Sequence, residues 1–328
     1  MARIFTESFE GAHLLQWGTG NDYQLTNALN LDGSTWCGTS IGGARYGDFS
    51  VTANSELYIG MYYYGGMVNA FPIQWFGSGG QLGYLYVDNA TKELRVFDGT
   101  ATYGSGEILT ASTVYHFQVR IKIDNTTGIL QVKLNDVLVI DQQNIDTQVG
   151  AVTQIDMFRI GLDSGASAED AIWVNDTSGS TDNTWSGIRR FVVKPVVGPG
   201  FYVDNWSRNA GASNWEAVDE IPPDNDTTYL YTNSASTYES FSMTNPAISF
   251  ANFHALRTMA VVKKDSGTVK LAVGIRDLDN STDYYTAGQD VGVSYGMVYD
   301  RRTTDPSTSL SWTQAGLGQV QALIISSG

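Results

Sequence analysis

Apolar and polar residues alternate along most of this sequence, and that alternation constrains the fold more than any other feature. From Tyr115 to Asp124 the odd-numbered positions are apolar or aromatic and the even-numbered positions are polar. A period of two places the two sets on opposite faces of a β-strand. The turn at Asn125–Gly128 and a second alternating run over Leu130–Leu134 predict a β-hairpin. Each strand is therefore expected to have one buried face and one face toward water.

The same pattern returns at intervals, and no segment shows a convincing helical repeat. The alternating runs are Leu57, Ile59, Met61 and Tyr63; Leu82, Tyr84 and Tyr86; Leu94 and Val96; Phe158, Ile160 and Leu162; and Val269, Leu271, Val273 and Ile275. Short strands separated by turns at intervals of about 8–12 residues are typical of a β-sandwich or jelly roll. The sequence therefore predicts an all-β protein.

The distribution of proline divides the chain into two parts. Six of the seven prolines lie after residue 194, and residues 194–200 read KPVVGPG. Because proline fixes its own φ angle, this segment is expected to be a stiff linker. We predict a β-sandwich domain over residues 1–193, a Pro/Gly linker over 194–200 and a smaller β-sandwich domain over 201–328.

Charge and composition exclude several classes of partner. Nineteen Lys and Arg against 34 Asp and Glu give a net charge of −15, which argues against binding to nucleic acid or to an anionic membrane. The single cysteine excludes an intramolecular disulfide. The sequence shows no signal peptide and no apolar stretch of about 18 residues. We therefore expect synthesis in the cytoplasm and no membrane-spanning segment.

Four short motifs occur in order between Thr113 and Gly161. They are Tyr115-His116-Phe117, the hairpin Asp124–Gly128, the turn Asn135-Asp136 and the strand Ile155–Gly161. In this order they resemble the laminin-G-like, concanavalin A-like jelly roll. The resemblance implies a concanavalin A-like jelly-roll sandwich for residues 1–193, followed by the smaller C-terminal β-sandwich.

Longer motifs are spread over the whole chain. They are Phe5–Gly11, Trp173–Gly179, Asn214–Glu220, Pro222–Tyr229, Asp305–Thr308 and Ser311–Thr313. Together they resemble uncharacterised structural proteins of tailed bacteriophages, which carry an N-terminal jelly roll and a shorter C-terminal β domain. One departure is Ser309, where a glycine usually closes the Asp-Pro turn.

This second resemblance implies a function, a location and partners. The chain is expected to be a non-enzymatic structural protein of a tailed-phage virion, either decorating the capsid or associated with the tail. It would be made in the host cytoplasm without a signal peptide. Its expected partners are other capsid or tail proteins, with a homo-oligomer or several copies in each particle.

No catalytic residue is expected, and the chain is predicted not to be an enzyme. Folds of the concanavalin A type also include glycosidases, which place two carboxylates beside the sugar. The nearest segment here, Gln154–Arg159, has glutamine in place of the first glutamate and no second carboxylate, so only Asp156 remains. A glycan-degrading enzyme is therefore the least favoured alternative.

Aromatic residues support the main alternative, a carbohydrate-binding adhesin for host-surface glycans. Tyr62 and Tyr64 share one face of a predicted strand, and with Trp75 they could form a platform on which a sugar ring stacks. Trp173 and Trp215 are further candidates for a glycan site or a subunit interface. Each of these rings is equally compatible with packing in a core, and the sequence leaves that choice open.

One acidic segment is a candidate calcium site. Asp277, Asp279 and Asp283 are clustered in sequence, and carboxylate oxygens suit a hard cation. The segment lacks the glycine and the distant glutamate of an EF-hand, and aspartate is also an ordinary turn residue. Calcium, which could assist an adhesin, is the one cofactor considered, and otherwise none is expected.

Overall fold

The computed structural model describes residues 3–7, 24–26, 37–40, 46–78, 80–164, 167–179, 183–187, 194–220, 223–245 and 253–327. Their regular secondary structure is almost entirely β, which confirms the all-β fold class. The chain forms two compact units, Met1–Phe191 (unit 1) and Val192–Gly328 (unit 2). Of the motifs that resemble phage proteins, residues 8–11 and 222 lie outside the described residues. No helix in the described part of the chain is long and apolar enough to cross a membrane.

Unit 1 is a sandwich of two antiparallel sheets. Its described strands are β1 (Arg3–Glu7), β2 (Gln24–Thr26), β3 (Cys37–Ser40), β4 (Gly47–Asn54), β5 (Glu56–Gly65), β6 (Ala70–Gly77), β7 (Gly80–Val87), β8 (Glu93–Phe97), β9 (Thr102–Ile108), β10 (Val114–Lys122), β11 (Gly128–Leu134), β12 (Val137–Ile145), β13 (Ile155–Leu162) and β14 (Ser167–Asp176). The eight-stranded sheet has the order β12-β11-β10-β5-β14-β3-β2, with β1 also paired to β14. The six-stranded sheet has the order β4-β13-β6-β7-β8-β9.

The core of unit 1 lies between these sheets and follows the alternation in the sequence. The residues that β5 and β10 contribute are Leu57, Ile59, Met61, Tyr63, Phe117, Val119 and Ile121. From the six-stranded sheet, Ile73, Leu85 and Phe158 belong to the same cluster. Burying each such side chain contributes about 1.5–3 kcal/mol, so this single cluster is the main source of stability in unit 1. The buried faces predicted for β5 and β10 are confirmed.

Strand β7 departs from the regular alternation. The pattern predicts that Leu82, Tyr84 and Tyr86 share one face, but Leu82 lies in the core with Leu85, whereas the two tyrosines are partly exposed on the outer side. The β6–β7 ladder contains two register shifts. An extra residue in one strand changes the face on which the following side chains lie, and this accounts for the difference.

Unit 2 is built around an antiparallel sheet of its own. Its described elements are β15 (Val196–Pro199), β16 (Ser207–Arg208), a 3₁₀ turn (Trp215–Ala217), β17 (Leu230–Tyr231), β18 (Tyr238–Met243), β19 (Leu256–Val262), β20 (Lys270–Asp277), β21 (Thr282–Tyr285), β22 (Gln289–Asp290), β23 (Gly296–Arg302), α1 (Gln314–Gly318) and β24 (Val320–Ser327). The main sheet has the order β15-β18-β24-β20-β21, with β22 also paired to β20. Two separate pairs, β16 with β17 and β19 with β23, complete the unit.

Residues 194–200, which the sequence predicts as a linker, contain strand β15. This strand pairs with β18 at one edge of the main sheet. Proline is tolerated on an edge strand, because the backbone N–H that it lacks there has no partner strand to pair with. The extended conformation that Pro195 and Pro199 favour is therefore compatible with an edge strand of the main sheet in unit 2.

Candidate functional site

The predicted platform of Tyr62, Tyr64 and Trp75 does not form. Tyr62 and Tyr64 do share the outer face of β5 and are half-buried. Trp75 is 1% exposed and lies in the core, on the other sheet. Since β6 turns Ile73 and Trp75 toward the inside of the sandwich, the Trp75 ring cannot join the two tyrosines on an outer surface.

The two other candidate tryptophans have different surroundings. Trp173 on β14 is 0% exposed, and its ring lies directly over Gly60 of the neighbouring strand. A Cβ atom at Gly60 would lie 2.4 Å from the indole carbon Cε2, so only glycine leaves room for the ring. Trp173 is therefore not accessible to a ligand or partner. Trp215 begins the 3₁₀ turn of unit 2 and is half-buried.

Tyr62 belongs to a cluster of polar side chains that we call the polar face. It lies on the outer side of the eight-stranded sheet, where His116 pairs opposite Tyr62 and Tyr62 pairs opposite Asp170. The His116 and Tyr62 rings are 5.0 Å apart, and the His116 Nδ1 atom is 3.8 Å from a carboxylate oxygen of Asp136. His116 is only 2% exposed, and Gln118 beside it is fully buried.

Residues 183–187 cover much of the polar face. The backbone N–H of Gly187 donates to the Gln118 side-chain oxygen at 3.0 Å. The Trp185 ring packs edge-on against Tyr58 at 5.3 Å. Because this segment is bonded and packed onto the sheet, a ligand of oligosaccharide size has no access to Gln118 in this conformation.

The outer side of the six-stranded sheet is different, and we call its ring cluster the aromatic face. It consists of Phe71, Tyr84, Tyr86 and Phe97, which are all partly exposed. The Tyr84 ring centroid lies 5.2 Å from that of Phe71, 5.5 Å from Tyr86 and 5.0 Å from Phe97. These rings come from β6, β7 and β8, three adjacent strands, so the sheet fixes their spacing.

A row of polar groups continues from these rings across the same sheet. Tyr84 pairs opposite Gln74, Gln74 opposite Arg159, and Arg159 opposite Asp48. The Arg159 guanidinium donates two hydrogen bonds to Asp48, at 2.8 and 2.9 Å, and stacks on the Tyr46 ring at 3.6 Å. The hydrogen bonds to Asp48 raise the pKa of Arg159, so the pair carries two compensating charges in a fixed position.

Gln74 has an unusual environment at the centre of this row. It is 4% exposed, and its side-chain oxygen accepts a hydrogen bond from the exposed Gln81 at 2.8 Å. Its Nε2 atom is buried without a hydrogen-bond partner among the described residues. A buried donor left in this state costs about 1–3 kcal/mol, so its presence requires an explanation.

The aromatic face combines the two kinds of contact that sugars use. Ring faces bury the apolar C–H surface of a sugar, while hydroxyl and amide groups hydrogen-bond to its hydroxyls. Burial raises the pKa of the Tyr84 hydroxyl, which therefore stays protonated and able to donate at neutral pH.

Sequence reasoning missed this face because the shift in register along β6 and β7 moved the tyrosines outward. One signal was present, since an isolated glycine within a strand often marks a bulge or a close approach. Here Gly83 precedes Tyr84, and a Cβ atom at Gly83 would lie 2.4 Å from the Trp75 ring.

The three candidate calcium ligands do not gather around one point. An Asp277 carboxylate oxygen accepts a hydrogen bond from the backbone N–H of Asp279 at 2.8 Å, which is a turn contact. Asp283 pairs with Arg276 at 2.7 Å and accepts from the Tyr202 hydroxyl at 2.6 Å. Within the described residues, no group of three or more acidic, histidine or cysteine side chains is placed to hold a metal ion.

Comparison with protein-family models finds no match to this sequence, and comparison with curated proteins finds none either. Among solved structures, the chain is similar to an endo-β-1,4-glucuronan lyase from the fungus Trichoderma reesei, with 14% identity, a TM-score of 0.42 and coverage of 57% of this chain and 98% of the lyase. It is similar to alginate lyase Aly36B at 17% identity and a TM-score of 0.33, covering 44% of this chain and 81% of that one. A third similar structure is domain 4 of AbnA, an extracellular arabinanase from Geobacillus stearothermophilus, in complex with arabinotriose. It has 9% identity and a TM-score of 0.36, covering 53% of this chain and 92% of that domain.

The expectation that the chain is not an enzyme is contradicted by these comparisons, because two of the three similar structures are polysaccharide lyases. That expectation depended on the missing carboxylate pair at Gln154–Arg159. In the structure Asp156 accepts a hydrogen bond from the backbone N–H of Ser78 at 3.0 Å. A carboxylate pair is typical of glycoside hydrolases, so its absence does not bear on enzymes that cleave by elimination.

Proposed function

We propose that unit 1 binds an oligosaccharide on its aromatic face. The observation that carries this proposal is the array of four partly exposed rings within 5.0–6.1 Å of their neighbours, held on adjacent strands. Rings held by a sheet lose little conformational freedom on binding, which favours affinity. The rings of Phe71, Tyr84 and Phe97 span roughly 10 Å across three strands, which suits a short oligosaccharide.

The charges around these rings favour a neutral ligand. Arg159 is paired with Asp48, and Arg95 is bound by Glu93 at 2.8 Å and lies 3.4 Å from Asp88. A sugar carboxylate would have to compete with these protein carboxylates for each guanidinium. We therefore place neutral sugars ahead of uronates as the ligand class.

Gln74 supports the same proposal from a different observation. Its buried Nε2 atom has no acceptor in the described structure, and the side chain above it, Gln81, is exposed. When Gln81 rotates away, hydroxyls of a sugar seated beside Tyr84 can donate to the Gln74 side-chain oxygen that Gln81 leaves and accept from the Gln74 Nε2 amide. The free energy lost by an unpaired donor would then be recovered on binding.

The virion location expected from the sequence remains a prediction. An oligosaccharide site on unit 1 is compatible with display on a phage particle, where it would contact glycans of the host surface. The resemblance to phage structural proteins supports this extension, and immunogold labelling of purified particles tests it.

A binding experiment on the full chain tests the proposed function. Wild-type protein is applied to an array of neutral and uronate oligosaccharides, and the strongest ligand is then measured by calorimetry. We expect Tyr84→Ala to weaken binding by about tenfold or more, because it removes the central ring. Tyr64→Ala is the matched control, since Tyr64 is a half-buried tyrosine on the opposite sheet. Equal losses in both variants, or no binding by the wild type, would contradict the proposal.

A further inference from the structure

Unit 2 carries a second group of aromatic rings, which we call the aromatic ladder. It consists of Phe201, Tyr202, Tyr238 and Tyr285, with successive ring centroids 5.0, 5.1 and 6.5 Å apart. The two ends are open to solvent: Phe201 is 61% exposed and Tyr285 is 47% exposed. The inner rings of Tyr202 and Tyr238 pack on a small apolar cluster of the main sheet.

The backbone around Phe201 is tied to the main sheet on both sides. The N–H of Gly200 donates to the Ser240 carbonyl at 2.9 Å, and the N–H of Tyr202 donates to the Ser240 hydroxyl at 2.9 Å. Between them, the N–H of Phe201 donates to the Gln321 side-chain oxygen at 2.8 Å. A Cβ atom at Gly200 would lie 2.3 Å from the Ser240 hydroxyl, so this close approach requires glycine. The exposed phenyl ring therefore projects from a fixed backbone.

A buried guanidinium supports the inner face of the same ring. The Arg276 Cζ atom lies 3.8 Å from the Phe201 ring centroid, and its Nη1 atom donates to Asp283 at 2.7 Å. The Arg276 Nε atom is buried and has no hydrogen-bond partner in the described part of the chain. The guanidinium instead makes a cation–π contact with the Phe201 ring. Asp283 compensates the charge, so the ladder presents no net charge to a ligand.

These contacts make Phe201 a rigid, exposed aromatic surface on a neutral background. A cluster of rings that is both fixed and open to solvent is typical of a binding site, because apolar surface left in water gives no stability to the fold. We propose that the aromatic ladder is a second carbohydrate site, which takes a neutral oligosaccharide. It is carried by residues of unit 2 alone and does not depend on the aromatic face of unit 1.

The dimensions of the ladder favour a sugar over a protein partner. Its open surface is on the order of 300 Å², given that an aromatic side chain buries about 150–250 Å² when fully covered. A stable protein interface needs about 800 Å² from each partner. Three of the four rings carry a hydroxyl, and the successive ring planes are inclined by 89°, 42° and 84°, which makes a ridged surface.

The test uses the full chain and an array of neutral gluco-, manno-, galacto- and xylo-oligosaccharides. The variants are Phe201→Ala for the ladder and Tyr84→Ala for the aromatic face. Tyr299→Ala is the matched control, because Tyr299 is 44% exposed in unit 2 and is not part of the ladder. Thermal melting of each variant checks that the chain still folds, and Phe201→Trp tests whether another flat ring restores binding.

We expect at least one neutral oligosaccharide to bind about tenfold more weakly to Phe201→Ala, and normally to Tyr299→Ala and Phe201→Trp. That loss should persist in a background of Tyr84→Ala. Binding that depends on Tyr84 alone would overturn the second site and leave the proposed function of unit 1 intact. Binding that depends on Phe201 alone would overturn the proposed function of unit 1 and leave the second site intact. No binding, or equal binding by every variant, would overturn both.

Discussion

The two outer surfaces of unit 1 differ in what the chain does with their aromatic residues. On the eight-stranded sheet, residues 183–187 bond to the polar face, and Trp173 and Gln118 are fully buried. On the six-stranded sheet, Phe71 and Tyr84 remain partly exposed and contact each other. Both faces are the outer sides of their sheets. Whether such a face becomes interior or stays exposed is therefore decided by the segments that pack on it.

This comparison also explains why the tryptophans were misleading as site candidates. Trp75 and Trp173 have the largest side chains in the unit, and large rings contribute most when they are fully buried. Trp75 fills the space between the sheets, and Trp173 is fully buried over Gly60. The smaller rings of the aromatic face remain partly exposed.

The largest loss of stability is expected on the outer side of the eight-stranded sheet, where Trp173 is as buried as a core residue. Trp173→Ala should lower the free energy of unfolding by about 3–5 kcal/mol, because it leaves a large cavity in a closed site. Phe71→Ala removes a partly exposed ring from the other face and should cost clearly less. Urea denaturation of both variants measures the difference. Similar losses would show that the two faces are equally buried.

A second prediction concerns the glycine under Trp173. Gly60→Ala places a methyl group against the indole ring and should destabilise the fold by about 1–3 kcal/mol. Gly80→Ala is the matched control in a strand of the other sheet, where the nearest atom is 3.9 Å from the added Cβ. We expect a much smaller change there, measured in the same denaturation series. An unchanged free energy of unfolding in Gly60→Ala would contradict the close packing of the Trp173 ring on Gly60.

Substitution of Gln74 separates binding from folding on the aromatic face. Gln74→Met keeps the length of the side chain and removes a buried donor that has no partner in the described structure. We expect stability to stay within about 1 kcal/mol of the wild type or to rise, and affinity for the oligosaccharide to fall several-fold. Calorimetry and thermal melting on the same samples give both values. Unchanged affinity would remove Gln74 from the site.

The smallest expected effect is a change in the ionisation of single tyrosines, which alkaline titration measures. Burial is the main cause that raises the pKa of Tyr63 well above its usual value, and it also raises the pKa of the partly exposed Tyr84. A folded pKa above the unfolded one contributes stability below about pH 10, and that stability is lost as the pH rises further. Ultraviolet absorbance should show Tyr84 ionising in the folded protein and Tyr63 ionising only on unfolding. The difference between wild type and Tyr84→Phe assigns the first of these steps.

The sequence predicted the fold where strands are regular. The alternation along β5 and β10 placed Leu57, Met61 and Phe117 in the core, and the structure agrees. It failed at β7, where register shifts beside Gly83 turned Tyr84 outward. A single-residue shift reverses every following side chain, and composition carries no information about it.

The site residues were harder to predict because their contacts join distant strands. Asp283 lies in an acidic stretch, but the register of β20 and β21 places it opposite Arg276, and an ion pair results. The prolines of residues 194–200 indicated an extended segment, which proved to be an edge strand. In each case the local conformation was predictable and the partner was not.

Mapping of the bound ligand tests the central claim most directly. The full chain with labelled aromatic side chains is titrated with the strongest neutral oligosaccharide from the array, and changes in chemical shift are followed by nuclear magnetic resonance. We predict that the largest changes in unit 1 occur at Phe71, Tyr84, Tyr86 and Phe97, while Tyr62 and Tyr64 are unaffected. Changes confined to Tyr62, Tyr64 and His116 would contradict the account, because the ligand would then occupy the face that the structure shows as covered.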